Sequence, residues 1–98
     1  MPANKKLTPL LAGRTIKSVS PHENGLTVSF ADGSTMRIKT GTTAPHKVPL
    51  DRTVRKVRQS GAVLKLDFVD RTTAEIDLAE ATSSVMLRDA DGVLEYAD

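Results

Sequence analysis

Two histidines, twelve acidic side chains and no cysteine define the chemistry open to this 98-residue chain. His22 lies in Pro21-His22-Glu23-Asn24-Gly25, and His46 lies in Thr42-Thr43-Ala44-Pro45-His46-Lys47. An imidazole can act as a general base near neutral pH. Neither histidine has a nucleophile at a recognisable spacing, and no Gly-x-Ser-x-Gly elbow occurs. Without cysteine there is no thiolate nucleophile, no thiolate metal site and no disulfide. Both histidines read as loop residues, and the expectation is a protein that is not an enzyme. Asp89-Ala90-Asp91-Gly92 resembles the opening of a calcium loop, but the bidentate acid such a loop needs at its twelfth position falls beyond Asp98. Asp and Gly also suit turns for backbone reasons alone. Thr40-Gly41-Thr42-Thr43 lacks the glycines of a phosphate-binding loop. No metal and no cofactor is expected.

Charge is the more informative signal. Residues 1–66 carry twelve Lys and Arg against three acids, a net +9, and residues 67–98 carry two Arg against nine acids, a net −7. Such asymmetry points either to neutralisation across one small fold or to a charged partner. Small β-barrels bind nucleic acid through a basic face with stacking aromatics. A basic face could be built from Arg37, Lys39, Arg52, Arg55, Lys56 and Arg58. The aromatics fit less well: Phe30 and Phe68 fall on apolar faces, leaving Tyr96 alone to stack.

The elements that would position these residues come from an internal repeat. Sliding the chain by 38 residues aligns 14–38 with 52–76 without a gap, and eight of the 25 positions are identical: Arg14/Arg52, Thr15/Thr53, Val19/Val57, Leu26/Leu64, Phe30/Phe68, Asp32/Asp70, Thr35/Thr73 and Ile38/Ile76. Each copy reads as a three-stranded meander. Leu26, Val28 and Phe30 alternate with polar residues, as do Met36 and Ile38, the period of a half-buried strand. A three-residue loop Ala31-Asp32-Gly33 sets Val28 against Met36 and Leu26 against Ile38, with Gly33 left-handed at a bulge. The second copy carries Arg71 at that place, which predicts a strained or differently made turn. Ile16 and Val19 are three apart, as are Val54 and Val57, so both first strands are expected to bulge. A C-terminal hairpin follows, with Val85, Leu87, Leu94 and Tyr96 on one face if Asp89-Ala90-Asp91-Gly92 is its loop. Thr8-Pro9 and Gly13 bracket one helical turn, with Thr8 as cap and the turn as a lid on the core.

The expected architecture is all-β: two pseudo-equivalent three-stranded antiparallel meanders plus the hairpin, packed as a small sandwich or barrel. Residues 1–13 form a tail with the short helical turn. Residues 14–98 form one β domain of repeat 14–40, extended linker 41–51, repeat 52–78 and hairpin 84–96. On the third strands, Arg37 and Lys39 of the first copy face Glu75 and Asp77 of the second in the alignment. If those strands lie side by side, the four residues make a charge ladder within the chain; if apart, they leave one basic and one acidic stripe. The candidate interaction surface is therefore Arg37, Lys39, Arg55, Lys56, Arg58, Glu75 and Asp77. The expected function is a non-enzymatic interaction or assembly module that binds a protein or itself; the alternative is a small basic barrel that binds nucleic acid. No run approaches the roughly 20 apolar residues of a membrane span and no signal-peptide core is evident, so a cytoplasmic location is expected.

Overall fold

The structure is a computed structural model, and it describes residues 3–41 and 48–98. His46 and most of the linker lie outside the described residues. The order is α1 (Leu7–Leu11), β1 (Ile16–His22), β2 (Gly25–Phe30), β3 (Thr35–Lys39), β4 (Val54–Ser60), β5 (Val63–Phe68), β6 (Thr73–Asp77), β7 (Val85–Arg88) and β8 (Leu94–Ala97). All pairings are antiparallel. One sheet runs β1-β2-β3-β7-β8 and the other β4-β5-β6. The fold is all-β, and the C-terminal hairpin joins the first meander instead of forming a separate layer.

The registers follow from the apolar alternation. Val28 stands opposite Met36 and Leu26 opposite Ile38; Leu66 stands opposite Ala74 and Leu64 opposite Ile76. A slip of one residue would turn each of these side chains from the core to solvent. Both first strands bulge, between Ile16 and Ser18 and between Val54 and Lys56, which explains the three-residue apolar spacing. Phe30 and Phe68 are both fully buried, whereas Tyr96 is half-buried.

Backbone hydrogen bonds repeat at the same offset as the sequence. Thr15 bridges Thr53, and Thr40 bridges Leu78; each pair is 38 residues apart. Around the first bridge, Ile16 N–H donates to Arg52 C=O (3.0 Å) and Val54 N–H to Arg14 C=O (2.9 Å). Around the second, Gly41 N–H donates to Asp77 C=O (3.0 Å) and Ala79 N–H to Lys39 C=O (2.9 Å). The two sheets thus meet edge to edge at two places and enclose one apolar core. The correspondence reaches past the sequence repeat. Gly13 and Asp51, just before the two copies, both have positive φ, and each donates its N–H across to the other copy, to Val54 and Ile16.

The turn after β5 is built like the turn after β2. Gly33 N–H donates to Phe30 C=O at 3.0 Å and Arg71 N–H to Phe68 C=O at 3.1 Å. Asp32 accepts from Ser34 N–H and Asp70 from Thr72 N–H, a side-chain bond that closes the turn locally. Arg71 takes φ +71°, where Gly33 takes +89°. The Arg turn is therefore strained, not differently made, because Cβ crowds the backbone in the left-handed region. Replacing Arg71 by Gly should stabilise the protein by about 1 kcal/mol, part of the strain relieved being offset by a more disordered unfolded chain. The same change at Asp51 (φ +61°) should act in the same direction. Gly33→Val should do the opposite, by about 2–3 kcal/mol, since a Cβ at Gly33 lies 3.1 Å from Ala90 Cβ besides the strain. Thermal melts of the three variants check all of this.

Four local expectations change. His22 does not sit in a loop; it ends β1 opposite Gly25, with Glu23 and Asn24 as the turn. The helix is not capped by Thr8: Asn4 Oδ1 accepts from the N–H groups of Lys6 (3.2 Å) and Leu7 (3.0 Å). Thr8 instead serves β4, its hydroxyl donating to Val57 C=O and accepting from Val57 N–H. One short turn cannot persist alone, and Leu7 and Leu11, both fully buried, hold it on the core as the lid. In the C-terminal hairpin, Leu87 faces Tyr96 and Arg88 faces Leu94, with a register shift between them. The loop is shorter than four residues: Asp89 N–H donates to Val93 C=O (2.9 Å) and Gly92 N–H to Asp89 C=O (3.0 Å), which closes it over Ala90-Asp91-Gly92 and puts Leu94 outward beside Arg88, 47% exposed.

Candidate functional site

The seven residues singled out by charge separate onto two sheets. Arg37 and Lys39 project outward from β3; Arg55, Lys56 and Arg58 lie on β4, and Glu75 and Asp77 on β6. The charge ladder between the third strands does not form. The edge of β3 is taken by β7, with Arg37 opposite Met86 and Thr35 opposite Arg88. Strands β3 and β6 touch only just past their ends, at Thr40 and Leu78.

On the three-stranded sheet the charges answer one another. Arg58 grips Asp67 with two hydrogen bonds, Nε at 2.7 Å and Nη2 at 2.8 Å, and Thr73 Oγ1 donates to Asp67 at 2.9 Å. Lys65 Nζ lies 3.6 Å from Glu75, and Arg52 pairs with Asp70 at the turn. Asp67 is buried, which by itself would raise its pKa. The hydrogen bond from Arg58 outweighs that burial, and with Thr73 it holds the carboxyl below its usual 3.8. At the turns, hydrogen bonds from Ser34 and Thr72 likewise lower Asp32 and Asp70.

These depressed values set a pH dependence. The folded state binds these protons more weakly than the unfolded chain, so their contribution is complete above the ordinary carboxylate value. It is lost as the pH falls below about 3.8 through the lower folded values. Urea melts between pH 6 and pH 2 should show this fall. Asp67→Asn should flatten part of it while being less stable at pH 6. A wild-type curve without pH dependence below 4 would show that the pairs contribute nothing.

The five-stranded sheet differs. Its outer face carries Ser18, Ser20 and His22 from β1, Gly25, Thr27 and Ser29 from β2, and Thr35, Arg37 and Lys39 from β3, then Met86, Arg88, Leu94 and Ala97. None of these is acidic. Arg37 and Lys39 are exposed and form no ion pair with a described residue, and Arg88 donates to Gly92 C=O at 3.0 Å. Beside them Met86 is 36% exposed and Leu94 47%. An open groove of about 990 Å³ crosses one end of this face, lined by His22, Arg37, Lys39 and Met86 and also by Glu23 and Asp98. His22 Nε2 is hydrogen-bonded to Thr27 Oγ1 at 2.6 Å, so the ring is held against the sheet. No group of three or more metal-binding side chains occurs among the described residues.

None of the three aromatic rings lies on this face. Phe30 and Phe68 are in the core, and Tyr96 turns inward, its hydroxyl accepting from Asn4 Nδ2 at 3.1 Å. Sequence reasoning missed Met86, Arg88 and Leu94. The alternation of Met86 and Arg88 with buried Val85 and Leu87 was a usable signal, but nothing in it indicates that β7 lies beside Arg37. No helix among the described residues is long and apolar enough to cross a membrane. An all-β domain with one sheet face whose paired outward residues include cations and no carboxylate is thus the class that the geometry defines. Comparison with protein families, with characterised proteins and with solved structures finds no match.

Proposed function

We propose that this protein is a non-enzymatic interaction module that docks an acidic protein surface on the outer face of β3, β7 and β8. The observation that carries this reading is the combination of Arg37 and Lys39, exposed and without an ion pair to a described residue, with exposed Met86 and Leu94 on the same sheet face. A surface of this kind gives steering by charge and burial by its apolar residues. The absence of a Phe, Tyr or Trp ring on the face favours a protein over a stacked nucleic acid strand. The edge of the sheet is a poorer docking element than its face. β8 is four residues long and bulged, and Glu95 is tied to Arg14 at 2.7 Å, devices that discourage strand addition.

A second copy is one acidic partner, because residues 67–98 are strongly negative. Sedimentation at rising protein concentration and low salt tests self-association. Titration of labelled protein with an acidic, leucine-containing peptide tests foreign docking. Shifts should centre on β3 and β7 and weaken as salt shortens the Debye length from about 10 Å at 0.1 M to about 3 Å at 1 M. The double reversal Arg37→Glu/Lys39→Glu should weaken docking at least tenfold and change stability by no more than about 0.5 kcal/mol, as both side chains are exposed. Tighter binding of a single-stranded oligonucleotide at the same residues would overturn the protein reading.

A further inference from the structure

A second cavity, of about 490 Å³, opens on the three-stranded sheet beside the turn after β5; it is lined by Arg55, Asp67, Val69, Arg71, Thr72 and Thr73. We propose that Arg55 and Arg71 clamp a phosphate group in this cavity. The proposal is independent of the docking face on the other sheet.

Three observations converge on it. Arg71 occupies a left-handed position that the first copy gives to Gly33, in an otherwise identical turn. A strained arginine where glycine serves the backbone better marks a side chain retained for what it does. Arg55 falls within the β4 bulge, between Val54 and Lys56, and a bulge re-aims the side chain it carries. Neither arginine forms an ion pair with a described residue. The one carboxylate in the cavity, Asp67, is already neutralised by Arg58 and accepts a further hydrogen bond from Thr73. Arg55 acts on Asp67 only through charge, so neither guanidinium has a hydrogen-bonded anion among the described residues.

Guanidinium forks match oxyanions geometrically. Two guanidinium groups lining one cavity suit an acceptor with several oxygens and more than one charge, which a phosphate or phosphate monoester supplies with its three terminal oxygens and a charge near −2. A carboxylate balances only one of the two positive charges. The corresponding place in the first copy is closed to such a ligand. Its turn lies against the β7–β8 hairpin, with a Cβ at Gly33 only 3.1 Å from Ala90 Cβ.

Arg71→Gly gives a clean test, because the turn keeps its glycine form and the variant should melt higher than the wild type. Labelled protein is titrated with inorganic phosphate, with O-phosphoserine and with sodium chloride at matched ionic strength. The amides of Thr72 and Thr73 and the Nε signals of both arginines are followed. Saturable shifts with phosphate and phosphoserine alike indicate a site for the free ion or any monoester. Saturation with phosphoserine alone indicates a monoester site. Either supports the proposal if Arg71→Gly and Arg55→Ala each weaken binding at least tenfold and Arg71→Lys falls between. Shifts that are linear, that chloride reproduces, or that survive in folded Arg71→Gly overturn it. So does binding seen only with an oligonucleotide.

Discussion

Replacing Gly25 by alanine should cost about 3 kcal/mol, at the upper end of what overpacking does. An ideal Cβ at Gly25 would sit 2.1 Å from Ile38 C=O oxygen and 3.1 Å from Lys39 Cα. Both are backbone atoms of β3, so no side-chain rotation relieves the clash. Either β2 or β3 must shift, and β3 is also bound to β7. For a chain of this size the loss should lower the melting temperature by roughly 12–20 °C. Position 63, the counterpart of Gly25 in the second copy, carries valine opposite Asp77. The pseudo-symmetry is thus broken there, and Val63→Gly should cost only about 1 kcal/mol, through chain entropy and lost strand propensity. Thermal and urea melts of the two variants give the comparison. A loss below about 1 kcal/mol for Gly25→Ala would show that β3 moves easily away from β2 at Ile38.

Phe30→Ala and Phe68→Ala should each cost about 3–5 kcal/mol. The two rings are 1% and 0% exposed, and they stand at matching places opposite Ile16 and Val54. Their losses should agree within about 1 kcal/mol, since each leaves a comparable cavity at the bulged end of a first strand. Small domains hold only about 5–15 kcal/mol in all, so either variant should unfold substantially at 37 °C. Urea midpoints should fall with little change in slope, the sign of lost stability and not of an altered unfolded state. A loss under 1 kcal/mol at one ring, with the full loss at the other, would show that the two cores are not equivalent.

Much of the architecture was legible because strand patterns are local. The apolar residues at 26, 28 and 30 and at 36 and 38 leave one register in which like meets like, and the Asp-Gly turn closes it. The offset of 38 residues carried the same reasoning to the second copy, including its bulge. The strain at Arg71 was visible as an arginine aligned with a left-handed glycine. The helix cap was misread because Thr8 and Asn4 are both good capping residues, and only the nearness of β4 occupies the Thr8 hydroxyl. The C-terminal register was misread because the turn closes over three residues, with Asp89 bonded to Val93, and a register shift follows between Arg88 and Leu87.

The sequence by itself determined the strands, their faces, the repeat and the composition of a core shared by two copies. These rest on side-chain periodicity, hairpin chemistry and the need to bury the apolar face of each meander. Only the tertiary structure decided which strand lies beside β3. The open edge of β3 could have paired with β6 or with β7, and local patterning does not distinguish them. Pairing with β7 keeps Arg37 and Lys39 apart from Glu75 and brings Met86, Arg88 and Leu94 beside them. Pairing within the second meander lets Arg58 and Lys65 neutralise Asp67 and Glu75. A charge acts through space and not along the chain, so its partner is set by neighbours that are distant in sequence.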